Sequence, residues 1–242
     1  MIDLHCHLLP GVDDGPETLE ESLELCRIAV EDGITHAITT PHIHPGRWNN
    51  TRSSIRQACD ALRVVLIQQD IPLNLGFAAE VRVTDGIMQQ IAEREIPFYG
   101  AVDGYQIMLL EFPHGRIVPG SEKLVRWLLK HRVRPMIAHP ERNKQVMKDP
   151  SQLQPFIDIG CWFQVTAGSL TGRFGQSAQA TAEQLLDQDV VTVVASDGHN
   201  TTARRPIIAE AYDYLGQHYG DDRARRLMLD TPALISRGQF QP

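Results

Sequence analysis

Seven apolar stretches of strand length recur along this chain, beginning near Ile2, Thr35, Leu73, Tyr105, Pro135, Cys161 and Val190, and a helical pattern follows each. That alternation is what most narrows the fold. Successive βα units build a parallel sheet with both faces covered, and seven or eight in a row suggest a closed or nearly closed barrel. The first helix is opened by Pro16 and stopped by Gly33, with Glu17, Glu20 and Glu21 where the macrodipole favours acids. Further helices are expected over 51–69, after a loop at 45–50, and over 85–94. Ser121 is expected to cap a helix running to His131, and Ser151 to cap the next. Residues 176–188 read as helical, as does the remainder from about Ala203, with a break near Thr231 and Pro232. The crossovers are too regular for two domains, so residues 1–242 are expected to form a single domain.

The residues standing at the strand ends add a second constraint. His5 and His7 follow the first strand, two apart, so on extended backbone both imidazoles project to one side. His42 follows the second strand, Glu80 the third, Glu111 the fourth, His139 the fifth, and Asp197 and His199 the seventh. The sixth, ending at Thr166, is the exception. In a parallel barrel all strand C-termini lie on one face, and that face hosts the chemistry. With Asp13 or Asp14 from the first loop, the set is too large for one ion, whereas bridging carboxylates could hold two or three. No thiolate stands at these positions, so Mn, Fe or Zn suits the donors better than a structural Cys–zinc site does. Without cations, such a cluster of carboxylates would be costly.

Composition excludes other readings. A formal net charge of -7 argues against general nucleic-acid binding, though not against an anionic substrate drawn to bound cations. No window approaches the roughly 18 apolar residues of a membrane span, and the N-terminus enters a strand with no basic stretch before it, so neither membrane insertion nor secretion is expected. Cys6, Cys26, Cys59 and Cys161 are widely spaced, which reads as free thiols in a reducing, cytoplasmic setting.

Several runs appear in order and spacing that resemble the polymerase-and-histidinol-phosphatase (PHP) superfamily: Met1 to His7, Val12 to Gly15, Thr40-Pro41-His42, Gly76 to Glu80, Glu111-Phe112, Ala138 to Arg142 and Ala195 to Asn200. More narrowly they look like its bacterial protein-tyrosine phosphatases of capsular and exopolysaccharide biosynthesis. The likeness covers essentially the whole chain. It implies a distorted (β/α)7 TIM-like barrel holding three metal ions, often manganese. His5, His7, Glu80 and Asp197 would hold one ion, Glu80, Glu111 and His139 a second, and Asp14, His42 and His199 the third. The preference for Asp14 over Asp13 comes from the resemblance. Arg142 and Arg204 match the family's phosphate-binding arginines, with Arg205 adjacent as an alternative to Arg204. Thr166 stands where the family pattern has Asn.

No Cys is followed by the five-residue spacing to Arg of a phosphate loop, so a cysteine nucleophile is excluded and a hydroxide held on the cations remains. The cations and Arg142 would stabilise the transferring group, with Arg204 closing over it. A phenolate leaving group, of pKa about 10, needs little protonic help, which fits tyrosine phosphate. The leading expectation is thus a manganese-dependent protein-tyrosine phosphatase, with Fe or Zn as other candidate ions, acting on a membrane-associated tyrosine autokinase of polysaccharide export. The alternatives are a small-molecule phosphatase of the histidinol-phosphate kind and a catalytically silent, metal-bound regulatory module. His44 and His114 read as residues near the mouth, His36, His131 and His218 as ordinary ones, and Arg47 and Trp48 as a rim able to grip a peptide.

Overall fold

The computed structural model describes residues 1–240; the last two residues of the expected domain lie outside the described residues. The strands are β1 (Ile2–Cys6), β2 (His36–Thr39), β3 (His42–His44), β4 (Trp48–Asn49), β5 (Asn74–Phe77), β6 (Glu80–Arg82), β7 (Ala101–Val102), β8 (Tyr105–Glu111), β9 (Val133–Ala138), β10 (Trp162–Thr166) and β11 (Val193–Ala195). One sheet runs β1-β2-β5 and the other β11-β10-β9-β8-β6-β3-β4, with β7 on β8. All pairings are parallel except those of β4 and β7. This is a mixed α/β fold. The chain crosses between the sheets three times: from β2 to β3 and from β5 to β6 over two residues each, and from β4 back to β5 through the helix Arg52–Gln68.

Regular pairing does not run through every neighbour. β1 meets the segment after β11 by a single bridge, Cys6 to Gly198, flanked by Asp197 N–H to His5 O at 2.7 Å and His7 N–H to Gly198 O at 2.8 Å. Between β5 and the segment before β7, the Gln239 side chain takes the place of a strand. It accepts from Phe77 N–H at 3.2 Å and donates to the carbonyls of Phe98 and Tyr99.

The parallel strands are largely buried on both faces, as strands under helices are, while the short antiparallel β4 and β7 are partly exposed. An inner cluster includes Leu4, Ile38, Leu109, Met136 and Val193, and a larger outer one packs the sheets against the helices. The register of β1 on β2 shifts between Asp3 and Cys6. Leu4 therefore belongs to the inner cluster and Cys6 to the outer, a bulge of the kind that re-aims side chains beside a site.

Several helix starts differ from expectation. The first helix is Leu19–Glu31, not one opened at Pro16, because Thr18 and Glu21 form a reciprocal capping box. Thr51 caps Arg52–Gln68 as its position suggested. Ser121 opens Ser121–Lys130 without capping it: Gly120 occupies the cap, and the Ser121 hydroxyl donates to Val118 O at 2.7 Å. At Ser151 the capping group is the Asp149 carboxylate, which accepts from Ser151 N–H. Residues 200–208 are loop, and the next helix is Ala209–Tyr219. Its start is set by Asp32, distant in sequence, whose carboxylate accepts from Ile208 N–H and Ala209 N–H. A widened turn at Arg226–Asp230 precedes Thr231–Ser236, near the anticipated break. All four cysteines are buried free thiols, and no helix among the described residues is long and apolar enough to cross a membrane.

Candidate metal centre

The strand ends bring the candidate residues together. His5 and His7 come from the end of β1, Asp14 from the loop after it, His42 from β3, Glu80 from β6, Glu111 from β8, His139 from beyond β9, and Asp197 and His199 from beyond β11. Donor atoms lie within 4.8 Å of one another in three overlapping groups: His5, His7, Glu80 and Asp197; His7, Asp14, His42 and His199; and His42, Glu80 and Glu111. His7, His42 and Glu80 are each shared by two groups, and Glu80 is the carboxylate among them. Its Oε2 lies 3.4 Å from both His5 Nε2 and His7 Nε2 and 3.1 Å from His42 Nδ1, and its Oε1 lies 2.7 Å from His139 Nε2. Asp14 Oδ1 lies 3.2 Å from His42 Nε2 and 3.4 Å from His199 Nε2.

These groups match the expected sets in part. The first is the same four residues. In the second, His42 sits with the two glutamates, while His139 meets the other oxygen of Glu80. The third gains His7. Asp13 stands behind the cluster, accepting from His7 Nδ1 at 2.6 Å and from His42 N–H at 3.0 Å.

The imidazoles are oriented from outside the cluster. His7 Nδ1 bonds Asp13, His5 Nδ1 bonds Gln164 Oε1 at 2.8 Å, and His199 Nδ1 bonds Asp197 O at 2.9 Å, so each turns Nε2 toward the centre, where a bound cation would take its lone pair. Gln164 Oε1 also accepts from His139 N–H at 3.3 Å, which fixes the direction of its amide. Asp3, buried beneath, accepts from Ser196 Oγ at 2.5 Å and from Ser196 N–H, locking β1 to the end of β11. Neither Asp3 nor Gln164 was evident from the strand-end pattern, because each lies inside a strand. Gln164→Ala is expected to weaken divalent-cation affinity about 10–100-fold, read by competition with a chromogenic chelator.

The backbone is strained where the ligand candidates sit. His139 has φ +32° and Asp197 φ +53°, both left-handed for residues with a Cβ, at a cost of order 1–2 kcal/mol each. Gly198 follows because a Cβ there would lie 2.6 Å from Pro206 Cα.

Burial raises the carboxyl of Glu80, but His5, His42 and His139 outweigh it and hold the group well below its ordinary range. For Asp197 burial is likewise outweighed by His5, Arg204 and Arg142. Glu111 goes the other way, to about 8, raised by burial and by the charge of Glu80. Burial lowers His139 and His199 to about 4. Five buried donor atoms of the cluster have no hydrogen-bond partner: His42 Nδ1, Glu80 Oε2, Glu111 Oε2, Asp197 Oδ1 and His199 Nε2. Such atoms are costly to leave unmade. Cations among them would satisfy all five, so the donor set fits a multi-ion centre.

Arg142 and Arg204 both reach Asp197 Oδ2, the latter at 2.7 Å, and both line a cleft of about 160 Å³ over the cluster. Arg205 does not line it. Arg82, unremarked in the sequence, does, 3.1 Å from Glu111 Oε1. Thr166 meets none of the ligand candidates; its N–H donates to Glu141. Trp48 stacks on His42 at 4.8 Å, with the Arg47 guanidinium 4.0 Å from its ring centroid. His44 and His114 stand near this rim, whereas His36, His131 and His218 do not line the cleft.

Comparisons with known proteins point to one family. The chain is 36% identical over 239 residues to the tyrosine-protein phosphatase YwqE of Bacillus subtilis, covering 99% of this chain and 92% of the relative. A crystal structure from work on YwqE of Bacillus subtilis and CpsB of Streptococcus pneumoniae, described there as unique metal-dependent tyrosine phosphatases, superposes with a TM-score of 0.91 at 35% identity, covering 99% of this chain and 95% of that one. The lactonase Lmo2620 of Listeria monocytogenes, at 14% identity with coverage of 100% and 95%, shares the fold alone with a TM-score of 0.55. The model of the family "Capsular polysaccharide synthesis, CpsB/CapC" matches residues 1–237, and the chain belongs to that family.

Proposed function

We propose that this protein is a metal-dependent protein-tyrosine phosphatase that removes phosphate from a bacterial tyrosine autokinase controlling capsule or exopolysaccharide synthesis. The observation that carries this reading is the meeting of unpartnered imidazole and carboxylate atoms with Arg142 and Arg204 at one small cleft, in a chain this similar to YwqE. His5, His7, Glu80 and Asp197 would hold one ion, Glu80, Glu111 and His139 a second, with His42 adjoining, and Asp14, His42 and His199 the third. We assign manganese, since imidazole and carboxylate donors without thiolate suit it. The domain is single and the architecture a distorted (β/α)7 barrel: β1, the β2–β3 path, the β5–β6 path, β8, β9, β10 and β11 make seven positions, and the Cys6–Gly198 bridge supports closure. The absence of a spanning helix among the described residues, with four free thiols, supports action in the cytoplasm on a membrane-associated kinase.

Divalent cations bound here neutralise phosphoryl oxygens and acidify water. The chain supplies the rest. The planar guanidiniums of Arg142 and Arg204 can grip two phosphoryl oxygens each. Phe174 packs under Arg142, 4.2 Å from the guanidinium carbon, and holds it at the cleft. The cleft, about 160 Å³, is smaller than the roughly 300–1,000 Å³ of a pocket that engulfs a metabolite. A protein substrate, whose bulk stays outside, suits it better than histidinol phosphate does. An intact donor set with both arginines speaks against a silent module.

Assay of a phosphotyrosine peptide against histidinol phosphate, with manganese added, tests the reading, with His139→Ala as control. Cleavage of the peptide by the parent alone is expected; failure to cleave it, or equal cleavage by the control, sinks the proposal. Arg204→Ala is expected to lower kcat/KM about 10²–10³-fold, and Arg205→Ala less than about twofold, which the same assay reads.

A further inference from the structure

The pairing of β6 with β8 continues one residue beyond Arg82, where Val83 N–H donates to Glu111 O at 2.9 Å. Arg82 lines the cleft, and Val83 lines a separate groove, as the alternation of extended chain requires. That groove measures about 640 Å³ against about 160 Å³ for the cleft. Its walls are apolar: Val83 and Met88 from the segment after β6, and Val118, Pro119, Leu124 and Trp127 from the segment after β8. Met88 is 44% exposed. A hollow lined in this way has room for an apolar side chain. Asp85 and Lys123 also line it, so it presents no net charge and fits an apolar partner rather than an acidic or basic one.

The cleft has room for a phosphoryl group and the part of the ring beside it, so the remainder of a polypeptide substrate must lie along the rim. Along the segment after β6, the first residue to line the groove, Val83, follows Arg82 of the cleft, and along the segment after β8, Val118 of the groove follows His114 of the cleft by four residues. We infer that the groove seats an apolar side chain of the substrate polypeptide a few residues from the phosphotyrosine, and thereby selects which tyrosines are dephosphorylated. This rests on the phosphatase reading above.

The test uses the manganese-loaded protein, with Met88→Asp and Trp127→Ala variants, on three substrates. One is p-nitrophenyl phosphate. The others are phosphotyrosine peptides of equal length, flanked by Leu and Val in one and by Ser in the other. The parent is expected to favour the apolar peptide about tenfold in kcat/KM, the gain of burying one aliphatic side chain. Both variants are expected to lose that preference while hydrolysing p-nitrophenyl phosphate as the parent does. No preference in the parent, a preference that survives in both variants, or a parallel loss on p-nitrophenyl phosphate overturns the inference and leaves the phosphatase reading standing. A parent that cleaves none of the three substrates overturns both.

Discussion

Glu80→Gln is expected to lower kcat/KM on phosphotyrosine peptide by about 10³-fold or more, because it removes the carboxylate that faces four of the centre's imidazoles and joins two of its three donor groups. Its two oxygens face His5, His7, His42 and His139. A single lost neutral donor at a developing charge costs about 10²–10³-fold, and a buried carboxylate shared between cation positions is a larger loss than that. Gln preserves volume and can still hydrogen-bond His139, so the cation-free fold is expected to survive, with an unchanged far-ultraviolet dichroism spectrum. Initial rates at saturating manganese check this. A variant keeping more than about a tenth of parental activity would remove Glu80 from the centre of the mechanism.

The pattern that exposed Glu80 was legible without coordinates. An acid or imidazole closing six of the seven apolar runs is visible because strands of four to seven residues, such as β2, β5 and β8, leave a readable alternation or apolar run. Of the two- and three-residue strands, β11 was legible because it ends the apolar run 190–195, whereas β3, β4, β6 and β7 were not, since so few residues carry no period. They matter to the site all the same: β3 and β6 are what hold His42 and Glu80 in register as neighbours. Helix starts at Ser121 and Ser151 were misread for a different reason. The Ser121 hydroxyl donates to backbone and the Ser151 hydroxyl to the Asp149 carboxylate, and the choice between capping and such a bond depends on the preceding residues. Asp3 and Gln164 escaped notice because a buried polar residue inside a strand resembles any alternating position until its partner, far along the chain, is placed beside it. The choice between Asp13 and Asp14 was of the same kind. Spacing admits either, and only the position of His42 separates them.

Chelation is expected to abolish activity and lower the melting temperature, and the gap between loaded and cation-free protein is expected to widen as pH rises from 6.5 to 8. Without cations, Glu111 titrates near 8, raised by burial and Glu80. His7 titrates near 10: burial lowers it, but Asp13 and Glu80 outweigh that effect. Both values lie above those of the unfolded chain, about 4.3 for Glu and 6.5 for His. Between pH 6.5 and 8 the folded cation-free protein therefore holds more protons than the unfolded one, and its stability falls as pH rises. His139 and His199, lowered to about 4 by burial, are mostly neutral in both states across that window and contribute little. Below about pH 6.5 they act with the opposite sign, which confines the prediction to the higher range. Cations replace the protons at Glu111 and His7, so the loaded protein lacks this slope and metal affinity rises with pH. At a free cation concentration of about one hundred times Kd the linkage is worth about 2.7 kcal/mol, or roughly 5–10 °C for a chain of this size. Differential scanning calorimetry at three pH values, with and without chelator, measures both quantities. A gap that narrows with rising pH, or a melting temperature indifferent to chelation, would show that the buried acids and imidazoles are held by one another and not by ions.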